Sequence, residues 1–238
     1  MNVVFTCGGT AGHINPAIAV ANIWKERHPE GKVLFIGGDD MEMELVPKAG
    51  YELVGFPSAS FCRGLNMHAF RHNARAVGLI TRAISKCKRV LQDFQADVVI
   101  GTGGYASFPA LEAARRLHLP TCVHESNAMP GLTTRMVADW VDRVLICFPE
   151  SAKHYRHPEK AEVVGMPVRR EFLFNDRAKA RKALGIGEDE WVVLSAFGSQ
   201  GAREMNYAVG RMLALEQADG FPFRHIHAVG SYGWDWMG

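Results

Sequence analysis

A chain of 238 residues, 47% of them hydrophobic, has ample material for a buried core, with room for one large domain or one and a half. Its formal net charge of +2 gives no reason to invoke nucleic acid, and it holds no run of about 18 apolar residues that would span a membrane. Five cysteines, Cys7, Cys62, Cys87, Cys122 and Cys147, are scattered with no CxxC pair, which argues against a metal site and a disulfide framework and for free thiols in a reducing cytosol.

The chain opens on MNVVFTCGGT, without the basic and apolar regions of a signal peptide. Val3 to Cys7 reads as a strand. Gly8-Gly9-Thr10-Ala11-Gly12-His13 follows as a turn, and Pro16 opens a helical pattern to about Lys25. Val33 to Gly38 is the next strand and turn. Asp97 to Gly101, Thr121 to Glu125, Val144 to Phe148 and Glu162 to Val164 continue the series. Near-continuous apolar strands alternating with helices predict an α/β fold with a parallel sheet covered on both faces. The pattern changes at Gly165-Met166-Pro167-Val168-Arg169. A helix from about Asp176 to Leu184 leads to a new strand, Trp191 to Phe197, then a turn, a helix from about Arg203, and a strand at Phe223 to Val229. The boundaries are therefore set at 1–164 for a first Rossmann-like domain and 165–238 for the start of a second, too short to be a whole one.

Three glycine-rich turns carry the chemistry. Glycines at a strand's carboxyl end let backbone N–H groups approach an anion, and the helix that follows favours negative charge. The first turn is not GxGxxG, which makes a dinucleotide reading weak, and not GxxxxGK[ST], which excludes a P-loop. His13 closes it where ligands bind in open α/β sheets. The second turn, Gly101-Thr102-Gly103-Gly104-Tyr105-Ala106-Ser107, repeats the device. The third is Gly198-Ser199-Gln200-Gly201-Ala202. His124-Glu125-Ser126-Asn127 puts an imidazole beside a carboxylate at a strand end, suited to general-base work or to orienting a hydroxyl. Between Leu53 and Gln92 there is no acid, while Arg63, Arg71, Arg75, Arg82, Lys86, Lys88 and Arg89 are present. At helical spacing Arg75, Leu79, Arg82, Lys86 and Arg89 share a face, opposite Val77, Ile80, Ile84, Cys87 and Leu91. That basic face suits anionic headgroups or a pyrophosphate.

GGTAGHINPAIAVA, LVPKAGYE, GTGGYASFPAL, HESNAMPGLTTR, GMPVR and GSQGAREMN, in this order, resemble the MurG family of bacterial peptidoglycan glycosyltransferases along essentially the whole chain. The resemblance implies a GT-B fold and transfer of N-acetylglucosamine from UDP-N-acetylglucosamine to the muramyl sugar of lipid I, giving lipid II. It implies inversion at the anomeric carbon, no metal or other cofactor, and a peripheral place on the cytoplasmic face of the membrane, with the basic stretch 63–89 on an anionic surface. It assigns donor contacts to Thr10, Ala11, Gly12, Asn127, Arg169, Ser199 and Gln200, and the acceptor cleft to Gly103, Gly104, Tyr105 and His124. His13 and Glu125 are its candidate bases. Ala11, Ser126, Met166 and Phe197 depart from the family's usual residues, and none of them removes a charged position. The family's uracil pocket lies beyond the matched segments, so the stretch alone is expected to be inactive. The alternative is a non-catalytic acceptor module served by a separate donor-binding chain.

Overall fold

A computed structural model describes residues 1–57, 67–198, 201–221, 223–231 and 233–237, with the backbone alone for 67–74. The chain divides into two compact units, Met1–Arg170 and Glu171–Gly238.

The first unit is built on seven strands: β1 (Asn2–Thr6), β2 (Lys32–Gly37), β3 (Leu53–Gly55), β4 (Val98–Gly101), β5 (Thr121–Glu125), β6 (Arg143–Ile146) and β7 (Ala161–Val163). All pair in parallel, in the order β3-β2-β1-β4-β5-β6-β7. Helices α1 (Ala11–Arg27) and α2 (Glu42–Lys48) pack together, and α3 (Met67–Asp93), α4 (Ser107–Arg116) and α5 (Leu132–Ala138) form a second packed series. Alternate side chains of each strand serve the two layers. Val3 and Phe5 join Ile14, Ala17 and Phe35, whereas Val4 joins Ile84, Leu91 and Leu111. Phe5 and Phe35 are both fully buried and stack at 5.4 Å between centroids. Burying each contributes about 2–3 kcal/mol before the entropy of ordering is set against it.

Three local expectations are revised. Helix α1 begins at Ala11, not near Pro16: Thr10 is the extended N-cap (φ −142°), and Pro16 lies inside the helix at the loss of one backbone hydrogen bond. Strand β3 is short and only half-buried, so its apolar run is too brief to read as a strand. Among the described side chains of α3 the buried residues are Ala76, Ala83, Ile84, Cys87 and Leu91, while Val77 is exposed. Arg75, Arg82, Lys86 and Arg89 are exposed, as the periodicity requires, and Lys88, which it puts near the apolar side, is exposed as well.

The second unit holds two parallel strands, β8 (Val192–Ala196) and β9 (Arg224–Ala228). A short helix α6 (Arg170–Leu173) straddles the division in sequence. Helix α7 (Arg177–Ala183) is capped by Asp176, whose Oδ1 accepts from the amides of Ala178 and Lys179. Helix α8 (Arg203–Ala218) joins the strands, and α9 (Trp234–Met237) follows them. Gly201 needs both its positive φ (+77°) and its missing side chain, because a Cβ there would lie 2.1 Å from the Val229 carbonyl oxygen.

Candidate active site

The sheet order reverses between β1 and β4, which run side by side while their outward connections lead to opposite edges. In open α/β sheets ligands bind outside the carboxyl ends of the strands at such a switch point. The first and second glycine turns follow β1 and β4, so they flank it.

The two turns touch. A Cβ on Gly104 (φ +80°) would lie 2.2 Å from the Gly8 carbonyl oxygen, and one on Gly103 (φ +97°) would lie 2.8 Å from Cδ2 of His13. Only glycine permits both the left-handed backbone and this approach. Thr102 Oγ1 donates to the carbonyl of His13 (2.7 Å), which ties the second turn to the head of α1, and the single Ser107 hydroxyl proton faces Gly103 O (2.6 Å), with Thr6 O at 3.0 Å.

His13 is therefore held on both sides. Its Nδ1 lies 3.2 Å from the Gly8 carbonyl oxygen and 3.4 Å from Thr10 Oγ1. A carbonyl can only accept, so this contact calls for a proton on Nδ1, and the other ring nitrogen is Nε2. That nitrogen abuts Gly103, where a Cβ would stand 3.1 Å from it.

Because α1 starts at Ala11, the amides of Ala11 and Gly12 lie in its first turn. That turn holds no acidic residue, and the Thr10 hydroxyl does not cap it. The positive end of the helix dipole is left for an outside anion. The Gly9 amide is engaged elsewhere, donating to Oε2 of the fully buried Glu42 (3.1 Å). Asp40 accepts from the hydroxyl of Tyr105, whose ring lies over Gly9. Sequence reading assigned no role to Asp40 or Glu42, and it placed Thr102 and Ser107 in the second turn without a role of their own. The signal for the two acids was there: a polar stretch, Gly38-Asp39-Asp40-Met41-Glu42, at the carboxyl end of the strand beside β1.

One strand beyond β4, β5 presents His124 and Glu125, both buried. Glu125 Oε1 accepts from the amide nitrogen of Asn127 (3.0 Å) and from its Nδ2 (2.8 Å), and Oε2 accepts from Gly131 N (2.9 Å). Its carboxylate thus folds the loop that starts α5 and leaves Asn127 exposed with its amide oriented. His124 Nε2 donates to the Gly165 carbonyl (3.0 Å), with Cys147 Sγ 3.5 Å away. Burial pushes its pKa down, against the smaller opposing effects of that carbonyl and of Glu125. Arg169 is exposed. Ser199 and Gln200 lie outside the described residues.

Residues 3–146 match the glycosyltransferase family 28 N-terminal domain, well over half of the chain. The chain belongs to glycosyltransferase family 28. The family 28 match embraces both glycine turns of the switch point and the β5 loop. Two relatives, from Acetivibrio thermocellus and Desulforudis audaxviator, are each 38% identical over 99% of this chain. Both are named UDP-N-acetylglucosamine–N-acetylmuramyl-(pentapeptide) pyrophosphoryl-undecaprenol N-acetylglucosamine transferase. The chain spans 63% and 62% of their lengths. Among solved structures, Acinetobacter baumannii MurG superposes with a TM-score of 0.62 at 22% identity, over 96% of this chain and 60% of its own. The Neisseria meningitidis UDP-GlcNAc 2-epimerase bound to UDP-GlcNAc gives 0.61 at 15% identity, over 95% and 65%. At such identities the likeness is one of fold, and the fold of this family 28 chain is of the GT-B type.

Proposed function

We propose that the chain carries the acceptor side, and the first part of the donor side, of an inverting N-acetylglucosaminyltransferase. The donor is UDP-N-acetylglucosamine. The acceptor is undecaprenyl-pyrophosphoryl-N-acetylmuramyl-pentapeptide (lipid I), and the product is lipid II of peptidoglycan synthesis. The observation that carries this reading is the seat of His13: a histidine whose Nδ1 lies 3.2 Å from the Gly8 carbonyl oxygen, between two glycine turns at the switch point. The shared name of relatives 38% identical across the chain supplies the substrates.

In the reaction the muramyl C4 oxygen bonds to the donor's anomeric carbon as the bond from that carbon to the UDP oxygen breaks. The hydroxyl proton passes to Nε2 of His13, and the electron pair leaves with UDP. An imidazole is a competent base near neutral pH. Negative charge developing on the departing phosphate is met by the first-turn amides of α1 and its dipole. Thr10, Ala11 and Gly12 are the donor contacts on this side, joined by Asn127, Arg169, Ser199 and Gln200. Gly103, Gly104, Tyr105 and His124 shape the acceptor side. Glu125, its oxygens already accepting three hydrogen bonds, organises the Asn127 loop in place of taking the proton. The boundary between the two Rossmann-like domains is proposed at 164/165, whereas the two compact units divide six residues later, after Arg170.

Among the described residues no helix is long and apolar enough to cross a membrane. Contact with the cytoplasmic face of the membrane is assigned to the stretch 63–89. Arg82, Lys86 and Arg89, with Thr81 and Ser85, line a hollow of about 670 Å³ on α3.

The test is a transfer assay with lipid I and radiolabelled UDP-N-acetylglucosamine. It uses a chimera in which the Acetivibrio thermocellus relative supplies the residues past Gly238. His13→Ala should lower kcat by about 10²–10⁴, and Glu125→Gln by clearly less. Near-normal turnover by His13→Ala refutes the assignment. A chimera that binds lipid I without transferring sugar favours the acceptor-module alternative.

A further inference from the structure

A trans peptide unit has two faces of hydrogen bonding: its N–H and C=O point in opposite directions in one rigid plane. The described residues contain no cis peptide bond. In the unit joining Gly8 to Gly9, the carbonyl oxygen belongs to Gly8 and the N–H to Gly9. The N–H donates inward to Glu42 Oε2 (3.1 Å), and the oxygen accepts outward from His13 Nδ1–H (3.2 Å). Carboxylate, peptide and imidazole therefore lie in one chain of hydrogen bonds.

Three observations make this more than a turn that happens to be satisfied. Glu42 is fully buried, and its Oε1 has no hydrogen-bond partner among the described residues, so the side chain is kept in place at a desolvation cost. The space around it is shaped by glycines: a Cβ on Gly8 would stand 2.6 Å from Oε1, and one on Gly37 2.9 Å from Cγ. Glu42 also sits in the first turn of α2, where the helix dipole favours an anion, and its charge joins burial in pushing the Cys7 thiol pKa up.

We propose that Glu42 is a positioning residue for His13, acting through the Gly8–Gly9 peptide. A carboxylate on the N–H polarises the peptide and strengthens its carbonyl as an acceptor. The stronger acceptor fixes the His13 proton on Nδ1 and turns the Nε2 lone pair to the switch point. The arrangement does for this imidazole what a directly bonded carboxylate does in a Ser-His-Asp triad, with one peptide group interposed. The role rests on the reading of His13 as the base.

The test is ¹⁵N spectroscopy of the histidine rings in the 238-residue chain, with His13 assigned by loss of its signals in His13→Gln. In the wild type above neutral pH, His13 should be protonated at Nδ1 and bare at Nε2, and the Gly9 amide should exchange slowly. Glu42→Met keeps the length and removes the acceptor. The two ring-nitrogen resonances should then move toward each other as the tautomers mix. Glu42→Gln retains an oxygen for the Gly9 N–H and should restore the wild-type pattern. A folded Met variant with unchanged His13 resonances overturns the proposal. So does a wild-type Gly9 amide that exchanges like an exposed loop, a result that needs no variant to fold. Turnover of His13→Ala judges the base, and the ring-nitrogen contrast judges Glu42, so the two readings fail separately.

Discussion

Replacing Gly104 by alanine should cost the first unit far more than a single methyl group suggests. Gly104 has φ +80°, where an L-residue is penalised by about 1–2 kcal/mol. The new Cβ would also stand 2.2 Å from the Gly8 carbonyl oxygen. Atoms of this kind sit comfortably only near 3.5 Å, so the two turns must part by roughly 1 Å. Gly8 cannot retreat freely, because its own position is closed by Glu42 and Ala106. Overpacking of this kind costs about 1–3 kcal/mol, for a total near 2–5 kcal/mol. Gly50 supplies the control: its φ is +85°, and a Cβ there meets nothing within 4 Å. Gly50→Ala should lose only the backbone part. Thermal melting followed by circular dichroism separates them, each kcal/mol being about 2–4 °C at this size. Equal losses for the two variants would show that the contact between the turns is not what holds them.

Gly103→Ala should act differently, because its Cβ meets the end of the His13 side chain instead of backbone: kcat in the transfer assay should fall at least tenfold with a smaller loss of stability than Gly104→Ala. His124 makes stability depend on pH. Its folded pKa lies below the ordinary value of about 6.5, so the unfolded chain binds a proton that the folded one refuses. The stabilisation is present above pH about 6.5 and is lost as pH falls from there through the folded pKa, at no more than about 1.4 kcal/mol per pH unit. His124→Gln should flatten urea midpoints measured across that range. Burial pushes the Cys87 thiol up to about 12 and Cys122 up to about 11, so neither should react with a thiol reagent at pH 8 until the chain is unfolded. Vesicles rich in anionic lipid should sediment the chain. Arg82→Ala with Arg89→Ala should weaken that by about 1 kcal/mol per charge, and binding unaffected by salt would contradict the electrostatic account.

The fold was legible wherever a strand is apolar on both faces. Val3 to Phe5 and Val33 to Ile36 have no polar side chain to interrupt them, and burial of that kind leaves a continuous run in sequence. It was not legible at β3, where three half-buried residues carry too little signal, nor at the head of α1, where Pro16 imitates a helix start five residues late. That displacement matters, because it moves Ala11, Gly12 and His13 from a loop into the first turn of a helix. Periodicity found the basic face of α3 but misplaced Val77, which is exposed.

The site was legible as composition and illegible as wiring. Glycines at strand ends announce close approach, and His13 among them is conspicuous. Which atoms face which is set by partners distant in sequence. Glu125 looked like a base because it stands next to His124 at a strand end. In the structure its oxygens are spent on Asn127 and Gly131, while His124 turns to Gly165. Glu42 looked like an ordinary acid at a helix start, yet it is buried with an unpartnered oxygen under the first glycine turn. The adjacent ionisable pair His124 and Glu125 is thus buried and bonded to its own surroundings, and the acid whose hydrogen-bond chain reaches His13 stands 29 positions from it. The partners differ in kind: Glu125 takes the amides of the loop after its own strand, whereas Glu42 reaches with one oxygen to the Gly9 amide of the neighbouring strand-end turn. In a sheet of parallel strands such turns are brought side by side, so an acid at one strand's end can govern the geometry of the next.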